Sequence, residues 1–308
     1  MSANNCGELV SIATTEWAAL RDVYRRDWPL NVYSYYALEN YLNWLRKDPE
    51  LCEREVRIWS VDDNWREHGI YILQDRTNFA RTVRADVCSP EYIALYQLVF
   101  NYLDALPYTE LLFRDKTCTA VKKYIEQLGY TPNLEECYPA RLYHLSKKDC
   151  LKLGVKQCVD FIIQPLKLTD AKEVNDFWPY KGLGTQYIVE RNIKYNLTLG
   201  AYHHDSGELC AWVLYSELGT IAFLYVKAPY RRRGLAEVLV RQLCRALADQ
   251  DHDAMAHIED TNEASTKLFT KLGFQAIEYN YWFIKAHFAN TTQVQQAEVL
   301  MGQTMKHG

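Results

Sequence analysis

Residues 222–236 read AFLYVKAPYRRRGLA, an apolar run joined to a basic, glycine-containing turn that opens a helix. Phe223, Leu224, Tyr225 and Val226 suit a strand, and Pro229 ends it because proline has no amide to give a ladder. From Leu235 the apolar residues Val238, Leu239, Leu243 and Leu247 recur at helical spacing, which places residues 231–236 at a helix start. Unpaired amides and the positive end of the helix dipole converge on such a turn. A phosphate there satisfies those donors with main chain alone, Gly234 and Ala236 keep Cβ bulk away, and Arg231, Arg232 and Arg233 add charge. A solvated basic helix start is the competing reading of the same residues.

The spacing from Arg231 through Gly234 to Ala236 resembles the R/Q-x-x-G-x-G/A signature of the GCN5-related N-acetyltransferase (GNAT) superfamily, whose loop holds the pyrophosphate of acyl-coenzyme A. Farther on, residues 262–274 (NEASTKLFTKLGF) resemble the superfamily's second signature, an Asn-led helix closing on Leu-Gly-Phe. Physically, Asn262 caps that helix, Leu268 and Leu272 share a face, and Gly273 ends it before a strand at 281–284. Upstream, Ala171 to Trp178, Gly182, residues 187–193, and an apolar hairpin over 199–212 with a turn at Ser206-Gly207 resemble the catalytic domain of the glycine N-acyltransferase-like family. The likeness spans residues 160–285.

The resemblance implies an α/β (α+β) fold with a mixed, mostly antiparallel sheet flanked by helices. An echo in the first half, Val121 to Tyr130 ending Leu128-Gly129-Tyr130 before a strand at 141–145, predicts tandem copies with the N-terminal one degenerate. Ahead of the echo lie a strand at 82–88 and a helical stripe from Tyr92 to Leu103. The turn between them, Ser89-Pro90-Glu91, has an acid where a phosphate would sit, so this copy is expected not to hold coenzyme A and instead to cover the catalytic half. Trp17, Leu20, Val23 and Tyr24 form one amphipathic stripe and Tyr35, Leu38, Tyr41, Leu42 and Leu45 another. The polar stretch at 147–154 sets the boundary: a degenerate domain over 1–150, an acyl-coenzyme-A-binding domain over 151–290 and a polar tail over 291–308.

A chain of 308 residues exceeds one ordinary domain, and 48% hydrophobic with 24% charged residues is a globular composition. A net charge of −4 with cations bunched locally argues against a nucleic-acid partner. Nine scattered cysteines without a C-x-x-C pair suggest neither a metal site nor a disulfide framework. No apolar run reaches the ~20 residues of a membrane span. The first twenty residues contain Glu8 and Glu16 and no arginine, against an import leader, so the cytoplasm is expected first and mitochondria second.

Acyl transfer from a thioester needs a bound thioester, an oxyanion donor, a base and an acid for the thiolate. In the superfamily the pantetheine arm pairs with the strand before the loop, and a backbone amide there polarises the thioester carbonyl; the resemblance puts these roles at Tyr225 and Val226. The cofactor set is then Tyr225, Val226, Arg231, Arg232, Arg233, Gly234, Leu235, Ala236, Asn262 and Phe269, with acetyl- or another acyl-coenzyme A as co-substrate. Relatives that acylate glycine have a glutamate where Thr220 stands, and Glu217 nearby reads as a solvated hairpin acid. A strand over 255–260 puts His257 and Glu259 on one face, the two remaining candidates for the base, with a core histidine the alternative for His257. Many members place their tyrosine acid where this chain has Phe269, leaving water, Tyr279 or Tyr281. The expected function is acyl-coenzyme-A-dependent N-acylation of a small amine or amino acid such as glycine. The alternative is an acyl-coenzyme-A-binding regulatory protein with weak or no transferase activity.

Overall fold

The computed structural model describes residues 8–76, 81–88, 110–127, 129, 137–155 and 158–284. The stripe at 92–103, the Ser89-Pro90-Glu91 turn and the 291–308 tail lie outside them. Twelve strands form one sheet in the order β1-β2-β3-β4-β5-β12-β6-β11-β10-β9-β8-β7. The first six are β1 (Leu9–Ser11), β2 (Val56–Val61), β3 (Tyr71–Arg76), β4 (Arg81–Asp86), β5 (Glu110–Arg114) and β6 (Pro139–Leu145). Those of the second half are β7 (Phe161–Gln164), β8 (Thr198–His203), β9 (Leu209–Tyr215), β10 (Ile221–Val226), β11 (Ala254–Ile258) and β12 (Gln275–Ile284). The helices are α1 (Trp17–Val23), α2 (Val32–Lys47), α3 (Pro49–Glu55), α4 (Trp65–His68), α5 (Cys118–Gln127), α6 (Lys147–Cys150), α7 (Ala171–Asp176), α8 (Thr185–Tyr195), α9 (Leu235–Asp249) and α10 (Glu263–Lys271).

The order is symmetric about the β12–β6 pair. Each half runs through antiparallel strands to a parallel pair, β4 with β5 and β10 with β11, and each contributes a last strand that crosses over. β12 lies against β5, and β6 lies against β11, with Ala254 opposite Leu145 and Ile258 opposite Arg141. A glycine follows the helix ahead of each crossing strand: Gly129 after α5 and Gly273 after α10 both have positive φ, 82° and 95°, the left-handed stop that favours glycine. β12 begins six residues before the expected 281, because its first half pairs with β6 and its second with β5. β11 ends at Ile258, two residues short of the expected strand, as Asp260 turns to receive the Arg141 guanidinium at 3.1 Å.

Side chains alternate along β11. Ala254, Ala256 and Ile258 enter the core that holds Leu239, Leu243 and Leu247 of α9 and Phe269 of α10. Met255 faces the other way, into a cluster with Val32, Tyr33 and Tyr36 of α2. Helix α2 thus belongs by sequence to the first half and packs on strands of both. A buried ion network joins the halves at α8. Arg191, 3% exposed, donates to Asp75 of β3 at 2.8 and 3.0 Å and to Glu55 of α3 at 3.1 Å. No helix among the described residues is long and apolar enough to cross a membrane.

Removing one member of such a network strands its partners in low dielectric, which costs about 3–5 kcal/mol. Arg191→Met is therefore expected to lower unfolding free energy by about that amount in urea titrations followed by circular dichroism. A loss below about 1 kcal/mol would mean that apolar contact alone holds the halves in place.

Candidate functional site

After β10 the chain makes a single 3-10 turn at Ala228–Tyr230, passes through Arg232 at φ 61° and Gly234 at φ 81°, and enters α9. The first intrahelical bond of α9 runs from Val238 N–H to Gly234 C=O at 3.1 Å, so the amides of Leu235, Ala236 and Glu237 precede it. A Cβ added at Gly234 meets no atom within 4 Å, so the space beside this residue is open. The arginines divide their work. Arg231 donates from Nε to the Val226 carbonyl at 3.1 Å and lies toward Tyr225, whereas Arg233 pairs with Asp160 and covers the Phe161 ring at 4.8 Å. Arg232 is exposed, with no partner among the described residues.

The strand feeding this corner parts from its parallel neighbour. β10 and β11 share one paired position, Ile221 with Ala256. On its other side β10 bulges between Ala222 and Tyr225, where Phe223 has φ 55°, a conformation that costs a non-glycine residue energy and recurs at functional sites. Beyond the bulge Tyr225 pairs with Trp212 and Val226 with Ala211, and Lys227 N–H donates to Cys210 C=O at 2.9 Å. Since antiparallel neighbours alternate between bonded and non-bonded pairs, the Val226 N–H and C=O point away from β9, into the gap beside β11.

Over the gap lies an aromatic face carried by the segment after α7. Phe177 packs on Tyr225 at 4.9 Å and on Trp212 at 5.7 Å, and Trp178 packs on Phe223 at 4.8 Å and approaches Tyr180 at 6.0 Å. Tyr180 reaches across and donates to Glu259 just past β11. Burial and this bond raise the Tyr180 phenol to about 12, so it stays a donor. β11 ends at Ile258, so Glu259 lies just beyond the strand that carries His257, and the two have opposite settings. The His257 ring lies 4.9 Å from both Tyr33 and Trp282, and its Nε2 pairs with Asn280 Nδ2 at 2.7 Å. Burial first, then the positive field of Arg84, lowers its pKa to about 3. It is a neutral core imidazole, the alternative given above.

Asn262 accepts from Ser265 N–H at 3.1 Å and caps α10; Phe269 is 3% exposed and packed edge-on to Phe274 at 4.9 Å, inside the core. Thr220 is buried, its carbonyl accepting from Ser216 N–H at 2.8 Å to close the β9–β10 hairpin. Glu217 is no solvated acid: it accepts from Asn192 of α8 at 2.7 Å, its carbonyl accepts from Asn40 of α2 at 3.2 Å, and burial raises its pKa. Tyr279 donates to Asp260 at 2.6 Å and Tyr281 to Asp115 at 3.1 Å, stacked on Phe113 in the first half's core. Sequence reasoning missed Phe177, Tyr180 and Phe223 as lining residues and Trp178 as more than a point of likeness. The available signal was the density of rings in residues 177–180 around Pro179. No group of three or more potential metal ligands occurs among the described residues.

Residues 198–283 match the model of the family described as FR47-like protein. No curated protein matches the chain by sequence. The fold is similar to the X-ray structure of a Drosophila melanogaster protein, 24% identical over 90% of this chain and 97% of that one, with a TM-score of 0.77. It is also similar to a tandem GNAT protein from the clavulanic acid biosynthesis pathway (14% identity, 89% and 97% covered, TM-score 0.55) and to a GCN5-related N-acetyltransferase from Kribbella flavida (9%, 79% and 93%, 0.50). The chain thus shares the tandem fold of these structures, and its residues 198–283 match the FR47-like family model.

Proposed function

We propose that this protein is an acyl-coenzyme-A-dependent N-acyltransferase acting on a small amine. The observation that carries the reading is the pairing of an open helix-start corner with a parted strand edge that points one amide, Val226 N–H, into the gap. The amides of Leu235 to Glu237 and the α9 dipole fit a diphosphate, with Arg232 free to add charge. The edge of β10 facing β11 offers backbone groups to an extended amide-bearing arm, as an added strand would. Val226 N–H then meets the thioester carbonyl and stabilises the oxyanion formed on attack. The amine approaches from the α7–α8 face, its nitrogen bonds the carbonyl carbon, and the C–S bond breaks to release the thiol. Glu259, which receives the Tyr180 hydroxyl just past the end of β11, is the group we assign to take the amine's proton. An amino acid such as glycine is one candidate acceptor.

Glycine at 234 adopts φ 81° without strain, and a β-branched residue there is strained and adds side-chain bulk at the helix start. Gly234→Val is expected to weaken acetyl-coenzyme A binding at least about tenfold in calorimetric titration, with unchanged far-ultraviolet circular dichroism. Undiminished affinity would remove the corner from the binding site. Amine-dependent thiol release from acetyl-coenzyme A tests the transfer itself; binding without release would leave a regulatory acyl-coenzyme-A protein.

With His257 neutral at every working pH, the rate–pH profile should show no inflection from it, and His257→Gln should keep kcat within about threefold. Its effect lies on stability. The unfolded ring titrates near its ordinary value of about 6.5 and the folded one near 3, so the native state loses stability as pH falls from about 6.5 towards 3. His257→Gln should flatten that slope in denaturation measured between those pH values; an unchanged slope would mean that the ring titrates freely in the fold.

A further inference from the structure

The acceptor side of the gap consists of rings and one uncompensated acid. Glu259 forms no ion pair among the described residues; its Oε1 receives the Tyr180 hydroxyl, and Oε2 has no protein donor among them. Tyr180 links it to Trp178, whose ring lies 6.0 Å from that of Tyr180 and packs on Phe223, with Phe177 and Tyr225 continuing the surface. Phe177 and Tyr180 are 41% and 57% exposed, large apolar area left open at this mouth. Of the bordering cations, Lys181, Lys227 and Arg141 are committed to other acids, and Arg231, 5.7 Å from the Tyr225 ring, donates to the Val226 carbonyl. Lys181 lies 3.7 Å from Asp176, Lys227 holds Glu173 at 2.6 Å and Glu208 at 3.2 Å, and Arg141 holds Asp260 at 3.1 Å.

A carboxylate beside ring faces attracts an ammonium, through charge on one side and ring quadrupoles on the other. The same lining repels a carboxylate, which would meet Glu259, while Arg231 and Arg232, which form no ion pair among the described residues, stand at the corner assigned above to the diphosphate. Resting on the transferase reading above, we infer that the acceptor is a primary amine with an apolar, ring-bearing body and no carboxylate, its ammonium at Glu259 and its body over Trp178 and Phe223. The step balances simply. The ammonium gives one proton to solvent by way of Glu259, the freed nitrogen bonds the acyl carbon, the C–S bond breaks, and the nitrogen's second proton goes to the departing thiolate. The products are an amide, the free thiol and one proton.

The matched pair 2-phenylethylamine and phenylalanine, which differ by the carboxylate, tests this on the full-length protein, with glycine and methylamine as further acceptors and thiol release from acetyl-coenzyme A as the readout. The expected result is a kcat/KM for 2-phenylethylamine at least about tenfold above those of phenylalanine and glycine. Glu259→Gln should raise KM for 2-phenylethylamine about tenfold with acetyl-coenzyme A affinity unchanged, and Trp178→Ala should raise it for 2-phenylethylamine and not for methylamine. Equal or better use of phenylalanine or glycine overturns the acceptor class and leaves acyl transfer standing. Acetyl-coenzyme A binding with no release for any of the four amines overturns both.

Discussion

Two parallel strands that touch once and then part, β10 and β11 at Ile221 and Ala256, are the constraint on which the second half is built. A parallel ladder normally continues until one strand ends. Here the bulge at Phe223 turns β10 away, and the cost of φ 55° in a phenylalanine is borne by its packing on Trp178 and by the resumed ladder with β9. The divergence has three consequences together. It leaves the Val226 amide, which faces away from β9, without a ladder partner on β11, carries the chain end outward to the α9 corner, and opens the space that Tyr180 and Glu259 bridge from opposite sides.

The first half shows the same architecture put to a different use. Its parallel pair holds over three positions, Thr82 with Glu110 through Arg84 with Leu112. At the far end, where the second half has its gap, Asp86 and Arg114 join at 3.0 Å, and Arg114 also takes Glu278 of β12 at 2.8 Å. Lys116 adds a second cation at 3.4 Å from Asp86, and Ser34 and Asn31 fill the remaining positions. Buried ions of this kind contribute little net stability compared with apolar packing, but they fix one arrangement, since any displacement strands a charge. One copy is bolted where the other is open.

Much of this was legible in the chain. The corner at 231–236, the cap at Asn262 and the helix-stopping Gly273 are local features, set by neighbours within a turn or two, and local chemistry is what a sequence states directly. The tandem echo was readable because the same stop-and-strand unit occurs twice. The crossing of β6 and β12 was not, because strand order depends on partners more than a hundred residues apart and nothing in either strand names its neighbour. The same limit explains Glu217: four residues of hairpin loop read as solvated until α2 and α8 are laid against them. Of the rings at 177–180, Phe177 and Trp178 entered the sequence reading only as points of likeness, and only the gap beside them marks them as a lining.

His257 and Glu259 show how finely the fold divides chemistry. Two residues apart, they differ because α2, a helix of the first half, lies over His257 and the segment after α7 lies over Glu259. Tyr33 and Trp282 close on the imidazole, and Arg84, donating from Nη2 to the Tyr33 hydroxyl at 2.8 Å, makes a second positive charge there unfavourable. Glu259 meets rings and one hydroxyl, an environment that holds an anion ready for a cation without supplying one. The degenerate copy therefore does more than cover the other half. By seating α2 on β11 it encloses the histidine among rings, while Glu259, just past the strand, keeps the Tyr180 hydroxyl as its donor.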